Sequence, residues 1–448
     1  MAGNINIEVP SSAKYIIDTL MEAGHEAYVV GGCVRDSILG RIPDDWDITT
    51  SAKPMQVKEL FTRTVDTGLQ HGTVTVLIDK EAFEVTTYRI DGEYEDSRHP
   101  KEVVFTSNLE EDLKRRDLTI NAMAYNDYVG LIDVFGGMQD IERKIVRCVG
   151  VAKNRFEEDA LRILRAIRFS AQLGYRIEKE TLDAIRELAP TLSKISAERI
   201  QVELVKLVTS PHPEYLEVAY ECGVTQVFFP EFDVCMGVEQ NTEHHCYTVG
   251  EHILKGMCNI APDKVLRLTM LMHDLGKPQA RTTDEDGTDH FYQHEEYSEK
   301  IAREVLRRLK FDNDTIAKVS KLVRYHDYGK GVVPDARKVR RAMNKIGEDL
   351  FPLLIEVRRA DVLAQSEMYR EEKLHLITLW EEIYGEIVAR RECVSLKTLA
   401  VSGADLIAVG IEPGKKMGSI LNALLEMVLE NPEYNTKEKL LAEAEKYK

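Results

Sequence analysis

Two aspartates, Asp45 and Asp47, stand one residue apart in the stretch DDWDITT (44–50). On an extended strand, side chains at positions i and i+2 point to the same face, so two carboxylates at this spacing can clamp divalent cations between their oxygens. The alternative for an isolated Asp-x-Asp pair is a solvated strand edge. Asp45 and Asp47 are predicted to be the catalytic ligands of Mg²⁺ in a site for metal and triphosphate.

A glycine pair and an arginine precede these aspartates, at Gly31, Gly32 and Arg35. Because glycine has no Cβ atom, the backbone N–H groups here can approach a phosphate closely, and the guanidinium can add a forked cationic contact. On its own, a Gly-Gly pair is usually only a turn. The glycines, the arginine and the two aspartates in this order predict a nucleotide-binding site.

The segment YVVGGCVRDSILGRIPDDWDITT (28–50) resembles the opening motif of the class II tRNA nucleotidyltransferases and bacterial poly(A) polymerases, members of the polymerase β superfamily. Four later segments match further motifs of that family in the same order: RRDLTINAMAYN (115–126), GLIDVFGGMQDI (130–141), EDALRILRAIRF (158–169) and ISAERIQVELVKL (195–207). The resemblance implies a Mg²⁺-dependent enzyme that transfers nucleotides from CTP and ATP to the 3′ end of tRNA without a nucleic-acid template.

The resemblance also implies roles for single residues. Glu84, on a predicted strand, is expected to be a third catalytic carboxylate, and an exposed strand charge is the alternative. Arg116, Asp117 and Asn121 match the family's contacts to the ribose and the triphosphate. For these three, a helix start capped by Asp117 is a second interpretation that is compatible with the first.

Base selection is expected on a predicted helix at 158–169, where Asp159 and Arg162 are three residues apart and therefore lie on the same side. Cytosine and adenine both present a donating amine beside an accepting ring nitrogen, which a carboxylate and a guanidinium can match. The resemblance to the family's Glu-Asp-x-x-Arg motif implies that this pair selects the base, with Arg165 as a further nucleotide-binding residue. An ordinary ion pair between Asp159 and Arg162 is the alternative.

Two other segments bear on the type of enzyme. The polar segment at 89–105 is similar to the flexible loop that family members use to switch from CTP to ATP, and a simple mobile hairpin is the alternative. The stretch DTGLQHGTVTV (66–76) resembles CCA-adding members more than poly(A) polymerases. CCA addition to tRNA is therefore the predicted function, with a poly(A) polymerase or an enzyme that adds only CC or only A as alternatives.

Later segments, among them LRLTMLMHDLGKP (266–278), resemble an HD domain, in which histidines and aspartates set a metal between helices. The matching residues are His252, His273, Asp274 and Asp361. The resemblance implies an additional divalent metal, and a phosphohydrolase, a metal-stabilised scaffold and a tRNA-binding body stay open as functions. His294 and His326 could extend the site, although a lone histidine more often makes local hydrogen bonds.

Near the C-terminus, Lys415 and Lys416 follow a break in the helical pattern at Pro413 and Gly414. Two cations at a helix start form a predicted contact for the phosphate backbone of tRNA. A plain turn between helices is the alternative.

The elements that must position these residues change in type along the chain. Up to about residue 150, short runs rich in Val, Ile and Thr alternate with turns and helices, whereas long amphipathic helices follow without a further convincing strand. The predicted fold class is an α+β nucleotidyltransferase head with a small mixed sheet, followed by an all-α neck, an HD domain and a C-terminal tail. The predicted domain boundaries are 1–150, 151–240, 241–366 and 367–448.

The composition limits the possible surroundings of the protein. A formal net charge of −17 means that the positive charge that contacts RNA must be local. The seven cysteines are scattered, which favours reduced thiols, and no apolar run approaches a membrane span. We therefore expect a cytoplasmic protein with tRNA, CTP and ATP as partners and no membrane, whereas the sequence does not indicate an oligomeric state.

Overall fold

The computed structural model describes residues 5–92, 103–243 and 246–447 of the chain. They form two compact units, Met1–Pro230 and Glu231–Lys448. The first unit contains a mixed sheet with helices, and the second is almost entirely helical, which confirms the predicted fold class. The finer division into four domains stays a prediction.

The strands of the first unit are short and follow the runs of β-branched residues. They are β1 (Ala27–Val30), β2 (Ile48–Thr50), β3 (Thr64–Gly68), β4 (Thr73–Ile78), β5 (Glu81–Thr87), β6 (Arg89–Asp91), β7 (Val103–Phe105), β8 (Met123–Asn126), β9 (Gly130–Asp133), β10 (Ile145–Val146) and β11 (Arg176–Ile177).

Helices of the first unit flank the sheet and then continue alone. They are α1 (Ser11–Glu22), α2 (Gly32–Ile38), α3 (Pro54–Leu60), α4 (Leu109–Lys114), α5 (Gly137–Arg143), α6 (Ala152–Glu158), α7 (Leu161–Leu173), α8 (Lys179–Leu188), α9 (Ala197–Val208), α10 (Leu216–Glu221) and α11 (Thr225–Phe228).

Seven strands form one sheet in the order β3-β4-β5-β2-β1-β8-β9. The β2–β5 pair is parallel, with Ile48 opposite Val85, and the other neighbouring pairs are antiparallel. Both faces of β1 and β2 are buried, so these central strands hold their ends rigidly. The loop that leads into β2 and the turn that leaves β1 are therefore fixed beside each other.

A small apolar core lies under the end of β1. Tyr28 and Val30 of this strand pack with Leu113 of α4, Ala124 of β8 and the buried ring of Tyr88. Burying such side chains stabilises a fold by roughly 1.5–3 kcal/mol each. This core fixes the position of Val30 and therefore of the turn at Gly31 that follows it.

The predictions about strands needed two corrections. Asp45 and Asp47 precede β2 rather than lying within it, because the ladder to β5 begins at Ile48, although the N–H of Val30 already donates to the carbonyl oxygen of Asp47 at 2.9 Å. Short strands also occur after residue 150, since β11 pairs with β10 in parallel and a further two-residue pair lies in the second unit.

The segment at 89–105 lies partly outside the described residues, which end at 92 and resume at 103. On its two sides, β6 and β7 pair in antiparallel fashion, with Arg89 opposite Phe105. The expectation of a nucleotide-switching loop stays a prediction.

The helices after α11 range from four to twenty residues in length. They are α12 (Pro230–Met236), α13 (Val249–Cys258), α14 (Lys264–Met272), α15 (Lys277–Ala280), α16 (His294–Arg308), α17 (Asn313–Tyr325), α18 (Ala336–Ile346), α19 (Phe351–Leu363), α20 (Arg370–Ala389), α21 (Gly403–Ala408), α22 (Lys415–Glu430) and α23 (Lys437–Ala444). Two strands, β12 (Thr282–Thr283) and β13 (Asp289–His290), form a hairpin.

Polar caps fix where the helices of the second unit begin. Thr248 and Glu251 form a capping box at the start of α13, and Asp263 accepts hydrogen bonds from two backbone N–H groups at the start of α14. Such caps contribute about 1 kcal/mol each. In the described ranges, the structure contains no helix that is both long and apolar enough to cross a membrane.

Candidate functional site

A polar pocket of about 660 Å³ opens in the first unit where β1, the loop before β2 and α7 meet. It gathers nine of the residues that the sequence predicts for catalysis or nucleotide binding: Gly31, Gly32, Arg35, Asp45, Asp47, Arg116, Asp117, Asn121 and Arg165. Residues almost 135 positions apart in the chain therefore line one cavity that is large enough for a nucleotide.

The carboxylates in this pocket carry negative charge that the protein only partly offsets. Burial, the neighbouring charge of Asp45 and that of Glu84 raise the pKa of Asp47 to about 6, although Arg116 acts in the opposite direction. Carboxylate oxygens held together at this energetic cost fit a small divalent cation, which would relieve the repulsion. The donor set consists of oxygens and matches the hard cation Mg²⁺ rather than a softer metal.

Glu84 lies beside this pair but outside the lining of the pocket. It precedes Val85, which is opposite Ile48 in the parallel ladder, so Glu84 is next to Asp47 across the strands. Its side chain is exposed, and its charge acts on Asp47. Its role as a third metal ligand stays a prediction that this position supports.

Gly31 occupies a position that only glycine fits well. Its φ of +84° is in the left-handed region, and an added Cβ atom would lie 3.1 Å from Nη1 of Arg116 and 3.7 Å from the carbonyl oxygen of Asn121. Gly31 is also the N-cap of α2, and both Gly31 and Gly32 line the pocket, so the start of the helix meets the pocket without a side chain at these two positions. This backbone suits a phosphate group.

Arg35 is buried and firmly held. It donates from Nη1 to Oδ1 of Asn121 at 2.5 Å and makes a forked contact with Asp36, at 3.0 Å and 2.7 Å. Its guanidinium also lies over the ring of Phe169, 4.8 Å from the centroid. Arg35 therefore keeps Asn121 in place and brings a fixed positive charge to the pocket wall.

Asp117 and Arg165 form an ion pair across the pocket, with 2.6 Å between Arg165 Nε and Asp117 Oδ2. Burial alone would raise the pKa of Asp117, but Arg165 and Arg162 hold it below its usual value, so the carboxylate stays ionised. Its Oδ1 accepts from the N–H of Leu118 at 2.8 Å. Asp117 thus offers a charged acceptor to any group that displaces Arg165.

The expectation that Asp159 and Arg162 share one helix was wrong. The chain leaves α6 at Glu158, and Asp159 is extended, with φ −143° and ψ 105°, before α7 begins at Leu161. Arg162 contacts the carboxylate of Glu158 and donates to the carbonyl oxygen of Arg115. Within the described ranges, the pocket lining includes neither residue.

Sequence reasoning missed Arg199 as the partner of Asp159. Arg199 on α9 donates two hydrogen bonds to the carboxylate of Asp159, from Nη2 to Oδ2 at 2.7 Å and from Nη1 to Oδ1 at 3.3 Å. The only available signal was that Arg199 lies within the motif at 195–207. A separation of 40 residues gives no spacing rule that would join the two side chains.

A second cluster of ligand-type side chains lies in the second unit. Its predicted members His252, His273, Asp274 and Asp361 are all buried. His252 Nε2 lies 2.9 Å from Asp361 Oδ1 and 3.3 Å from Asp274 Oδ2, and His273 Nε2 lies 3.2 Å from Asp274 Oδ2. Three elements, α13, the end of α14 and α19, thus bring the four side chains to one point, as a metal centre requires.

The charges in this cluster are strongly coupled. Burial lowers the pKa of His273, but Asp274 and Asp361 raise it to about 10. Without a metal, this imidazole therefore takes up a proton. Burial would raise the pKa of Asp274, but His273 and Lys277 hold it well below the usual value. A divalent cation would take over the role of that proton.

Gln365 is a supporting residue that the sequence did not reveal. It donates from Nε2 to Oδ2 of Asp361 at 2.9 Å and accepts from Lys373 Nζ at 2.6 Å. Buried beside the ligand set, it fixes which oxygen of Asp361 faces His252.

Lys415 and Lys416 lie at the start of α22, and both are exposed. Gly414 before them has a φ of +153° and a ψ of −168°, an extended conformation that is essentially restricted to glycine. The position is compatible with a phosphate contact, and their role in RNA binding stays a prediction.

Three family models match consecutive parts of the chain. The Poly A polymerase head domain matches residues 27–147, an RNA- and SrmB-binding site of polymerase A matches residues 174–236, and domain 2 of tRNA nucleotidyltransferases matches residues 282–444.

Curated relatives extend this similarity. A CCA-adding enzyme of Levilactobacillus brevis is 35% identical over 430 residues, which cover 96% of each chain. A CCA-adding enzyme of Lactiplantibacillus plantarum is 54% identical over 202 residues, which are 45% of this chain and 50% of the relative. In that second alignment, the chain spans about half the length of the relative it matches.

The fold also matches a solved structure, the crystal structure of the Bacillus stearothermophilus CCA-adding enzyme in complex with CTP. It is 30% identical, with a TM-score of 0.72, and the match covers 97% of this chain and 96% of that one.

Proposed function

Because the chain belongs to the family of CCA-adding enzymes, we propose that it adds C, C and A to the 3′ end of tRNA, with CTP and ATP as nucleotide donors. The 3′-hydroxyl of the tRNA attacks the α-phosphate of the nucleotide, and pyrophosphate leaves. The observation that carries the proposal is the pocket that Asp47, with a pKa raised to about 6, lines together with the glycine turn and five arginines. Paired carboxylates opposite cationic phosphate ligands suit nucleotidyl transfer.

Mg²⁺ is the proposed cofactor, held by Asp45 and Asp47 with Glu84 as a third carboxylate. The bound ions would activate the attacking oxygen and neutralise charge on the phosphates. The protein's own groups orient the triphosphate: the N–H groups after Gly31 and the guanidinium of Arg116, which lines the pocket, face the space where the phosphates would lie.

Asn121 and Asp117 are proposed to contact the ribose. Asn121 is held by Arg35 through its Oδ1, so its Nδ2 is the donor that lies near Asp117, and Asp117 keeps an ionised carboxylate that accepts. A 2′-hydroxyl can accept from the amide and donate to the carboxylate, and a deoxyribose can do neither, which selects ribonucleotides.

Base selection is assigned to Asp159 and Arg162. Each already bonds a protein partner, Arg199 and the Glu158 carboxylate respectively. A base must therefore replace or share those contacts, and cytosine and adenine have the required donor beside the required acceptor. Guanine and uracil reverse the pattern and leave a charge unpaired.

The test uses purified protein, tRNA that lacks its 3′ CCA, and each labelled nucleotide separately and together. We expect addition of two C and one A, followed by arrest. Addition that stops after CC, or that requires a preformed CC end, would identify a partial enzyme, and an open-ended A ladder would identify a poly(A) polymerase. Omission of divalent cations should abolish all products.

The cluster in the second unit supports a second candidate function, phosphoester hydrolysis at a metal held by His252, His273, Asp274 and Asp361. The observation that favours it is the convergence of these four buried side chains at one point. A buffered assay with cytidine 2′,3′-cyclic phosphate and added Mn²⁺ tests it. Turnover that His273→Gln removes would support it, and the absence of turnover would leave a structural metal site.

The tRNA is proposed to meet the cation pair Lys415 and Lys416, and the protein is proposed to act in the cytoplasm. With a net charge of −17, the chain must bind RNA through local positive charge. The affinity should therefore fall with salt, by a slope proportional to the number of phosphates neutralised. Filter binding at several salt concentrations measures that slope.

A further inference from the structure

Asp112 is a buried carboxylate of the first unit that has no role in the proposed reaction so far. It lies on α4, and its side chain is fully enclosed. Burial would raise the pKa of Asp112, but Arg115 and Arg116 hold it below its usual value, so the carboxylate stays ionised. A buried charge destabilises a fold unless partners surround it. The groups around Asp112 must therefore hold this charge in place.

Both oxygens of this carboxylate accept hydrogen bonds. Oδ1 accepts from Nε and Nη2 of Arg115 at 2.9 Å and 2.7 Å. Oδ2 accepts from the hydroxyl group of Thr49 at 3.1 Å. Thr49 is itself fully buried on β2, two residues after Asp47. Asp112 therefore ties the end of α4 to the strand that follows the two aspartates of the pocket.

The same carboxylate reaches the arginine that is proposed to contact the triphosphate. Asp112 Oδ2 lies 3.5 Å from Nη2 of Arg116, a residue that lines the pocket. Within the described ranges, Asp112 is the carboxylate that pairs with this guanidinium, and the enclosed Nε of Arg116 has no hydrogen-bond partner. Nη1 of Arg116 lies against the turn at Gly31. The contact with Asp112 therefore sets the orientation of the guanidinium at the pocket wall.

Arg116 has a second carboxylate near it, which lies in the pocket. Burial and Asp45 raise the pKa of Asp47, and the charge of Arg116 lowers it. An arginine side chain has many rotamers, and a partner that restricts them reduces the entropy that is lost when a phosphate binds. Because Asp112 is fully enclosed, it can restrict Arg116 without occupying the space of the triphosphate.

We propose that Asp112 is a positioning residue for nucleotidyl transfer, which holds Arg116 in the orientation in which its guanidinium meets the triphosphate of CTP or ATP. This inference rests on the proposed function and adds to it a residue behind the pocket wall. Asp112 acts through Arg116 and does not touch the nucleotide. Its removal therefore weakens the contact with the outer phosphates and spares the contacts with the nucleoside.

The affinities for CTP and CMP, measured by calorimetry with Mg²⁺ and without tRNA, separate these two parts of the nucleotide. CMP lacks the outer phosphates, so the wild type should bind CTP more tightly. Asp112→Asn keeps the shape of the side chain and removes its charge. We expect this variant to bind CTP about tenfold more weakly, as for the loss of one hydrogen bond between charged groups, and CMP with unchanged affinity.

Asp140→Asn is the matched control. Asp140 is also a buried carboxylate of the first unit, which accepts from the hydroxyl group of Thr119 at 2.6 Å and pairs with Arg147 at 2.8 Å. In the described part of the chain, neither Asp140 nor Arg147 lines the pocket. Both substitutions should lower the melting temperature, because each leaves an arginine without its carboxylate. Only Asp112→Asn should change the ratio of the CTP and CMP affinities.

A double-mutant cycle shows whether Asp112 acts through Arg116. Arg116→Ala alone should weaken CTP binding and spare CMP binding. Asp112→Asn in that background should then have no further effect on CTP binding. Additive losses of CTP affinity, or an equal loss of CTP and CMP affinity in Asp112→Asn, would overturn the inference and leave Asp112 a structural residue.

Thr49→Val serves as a milder variant in case Asp112→Asn does not fold. It removes only the hydroxyl group that bonds Asp112 Oδ2. CTP binding should weaken about threefold and CMP binding should stay the same; an unchanged CTP affinity would count against the positioning role.

The Arg116→Ala variant distinguishes failure of this inference from failure of the proposed function. If Arg116→Ala does not weaken CTP binding, the proposed contact of Arg116 with the triphosphate is wrong. If Arg116→Ala weakens CTP binding and Asp112→Asn does not, that contact stands and only the positioning role of Asp112 is overturned.

Discussion

Substitution of Asp47 by Asn should stabilise the metal-free protein while it destroys the proposed activity. The side chain is largely buried beside Asp45 and Glu84, and its pKa is raised from 3.8 to about 6. Each pKa unit corresponds to about 1.4 kcal/mol, so the ionised carboxylate costs the folded state up to about 3 kcal/mol. Screening by solvent reduces this value, and we expect a gain of about 1–3 kcal/mol.

The pH dependence of this stability change follows from the direction in which the pKa of Asp47 is shifted. The pKa of Asp47 is higher in the folded state than in the unfolded state. Below about pH 4 the carboxyl group is protonated in both states and folding is not penalised, whereas above about pH 6 the full cost of burying the ionised carboxylate is present. The gain from Asp47→Asn should therefore grow with pH, and about half of it should be present near pH 5.

Thermal unfolding in a chelator and with excess Mg²⁺ measures this effect. For a unit of this size, the melting temperature should rise by about 2–4 °C per kcal/mol. Mg²⁺ should raise the melting temperature of the wild type and not that of the variant. Asp44→Asn, an exposed carboxylate in the same loop, is the matched control and should change neither value. A variant that melts below the wild type in chelator, or a gain that is independent of pH, would refute the reasoning.

Three further predictions concern the proposed sites. Asp45→Ala should reduce nucleotide addition to a few per cent or less and leave tRNA binding in a filter assay nearly unchanged; substantial residual addition would exclude its metal role. Arg199→Ala should free Asp159 and reduce the preference for CTP over UTP by about tenfold, or about 1.4 kcal/mol, with partial recovery in Arg199→Lys, whereas unchanged selectivity would make the pair merely structural. His273→Ala with Asp274→Ala should spare CCA addition, so loss of addition in a folded variant would show that the two sites depend on each other.

Local patterns predicted the part of the candidate pocket that depends on residues close together in the chain. The glycine turn, Arg35 and the two aspartates lie within 17 positions, and the strands around them follow the β-branched runs. Their geometry is set by the backbone itself, by the left-handed φ at Gly31 and by the ladder that starts after Asp47. Sequence motifs are therefore sufficient to predict those site residues that lie close to one another in the chain.

The contacts of the predicted base-selecting residues could not be derived from spacing. Nothing in the sequence marks the helix break at Asp159, since the surrounding residues are good helix formers, and tertiary bonding to Arg199 outweighs that propensity. His294 and His326 were named from the sequence only as a possible extension of the metal site, because no spacing rule joins them. His294 begins α16 and His326 follows α17, and the packing of these two helices brings their Nε2 atoms to 3.1 Å.

The ion pairs that hold the base-selecting residues have a consequence for fidelity under the proposed function. Arg162 faces Glu158, and Asp159 faces Arg199, so neither charge is unpaired before a nucleotide enters. A cytosine or adenine that takes over one bond from each pair exchanges contacts at little net cost. A guanine or uracil would break the same bonds without replacing them and leave partly buried charges unpaired, at about 1–3 kcal/mol each. Rejection of the wrong base then comes from the loss of existing bonds more than from weak attraction, and the strength of the Arg199 and Glu158 contacts sets its size.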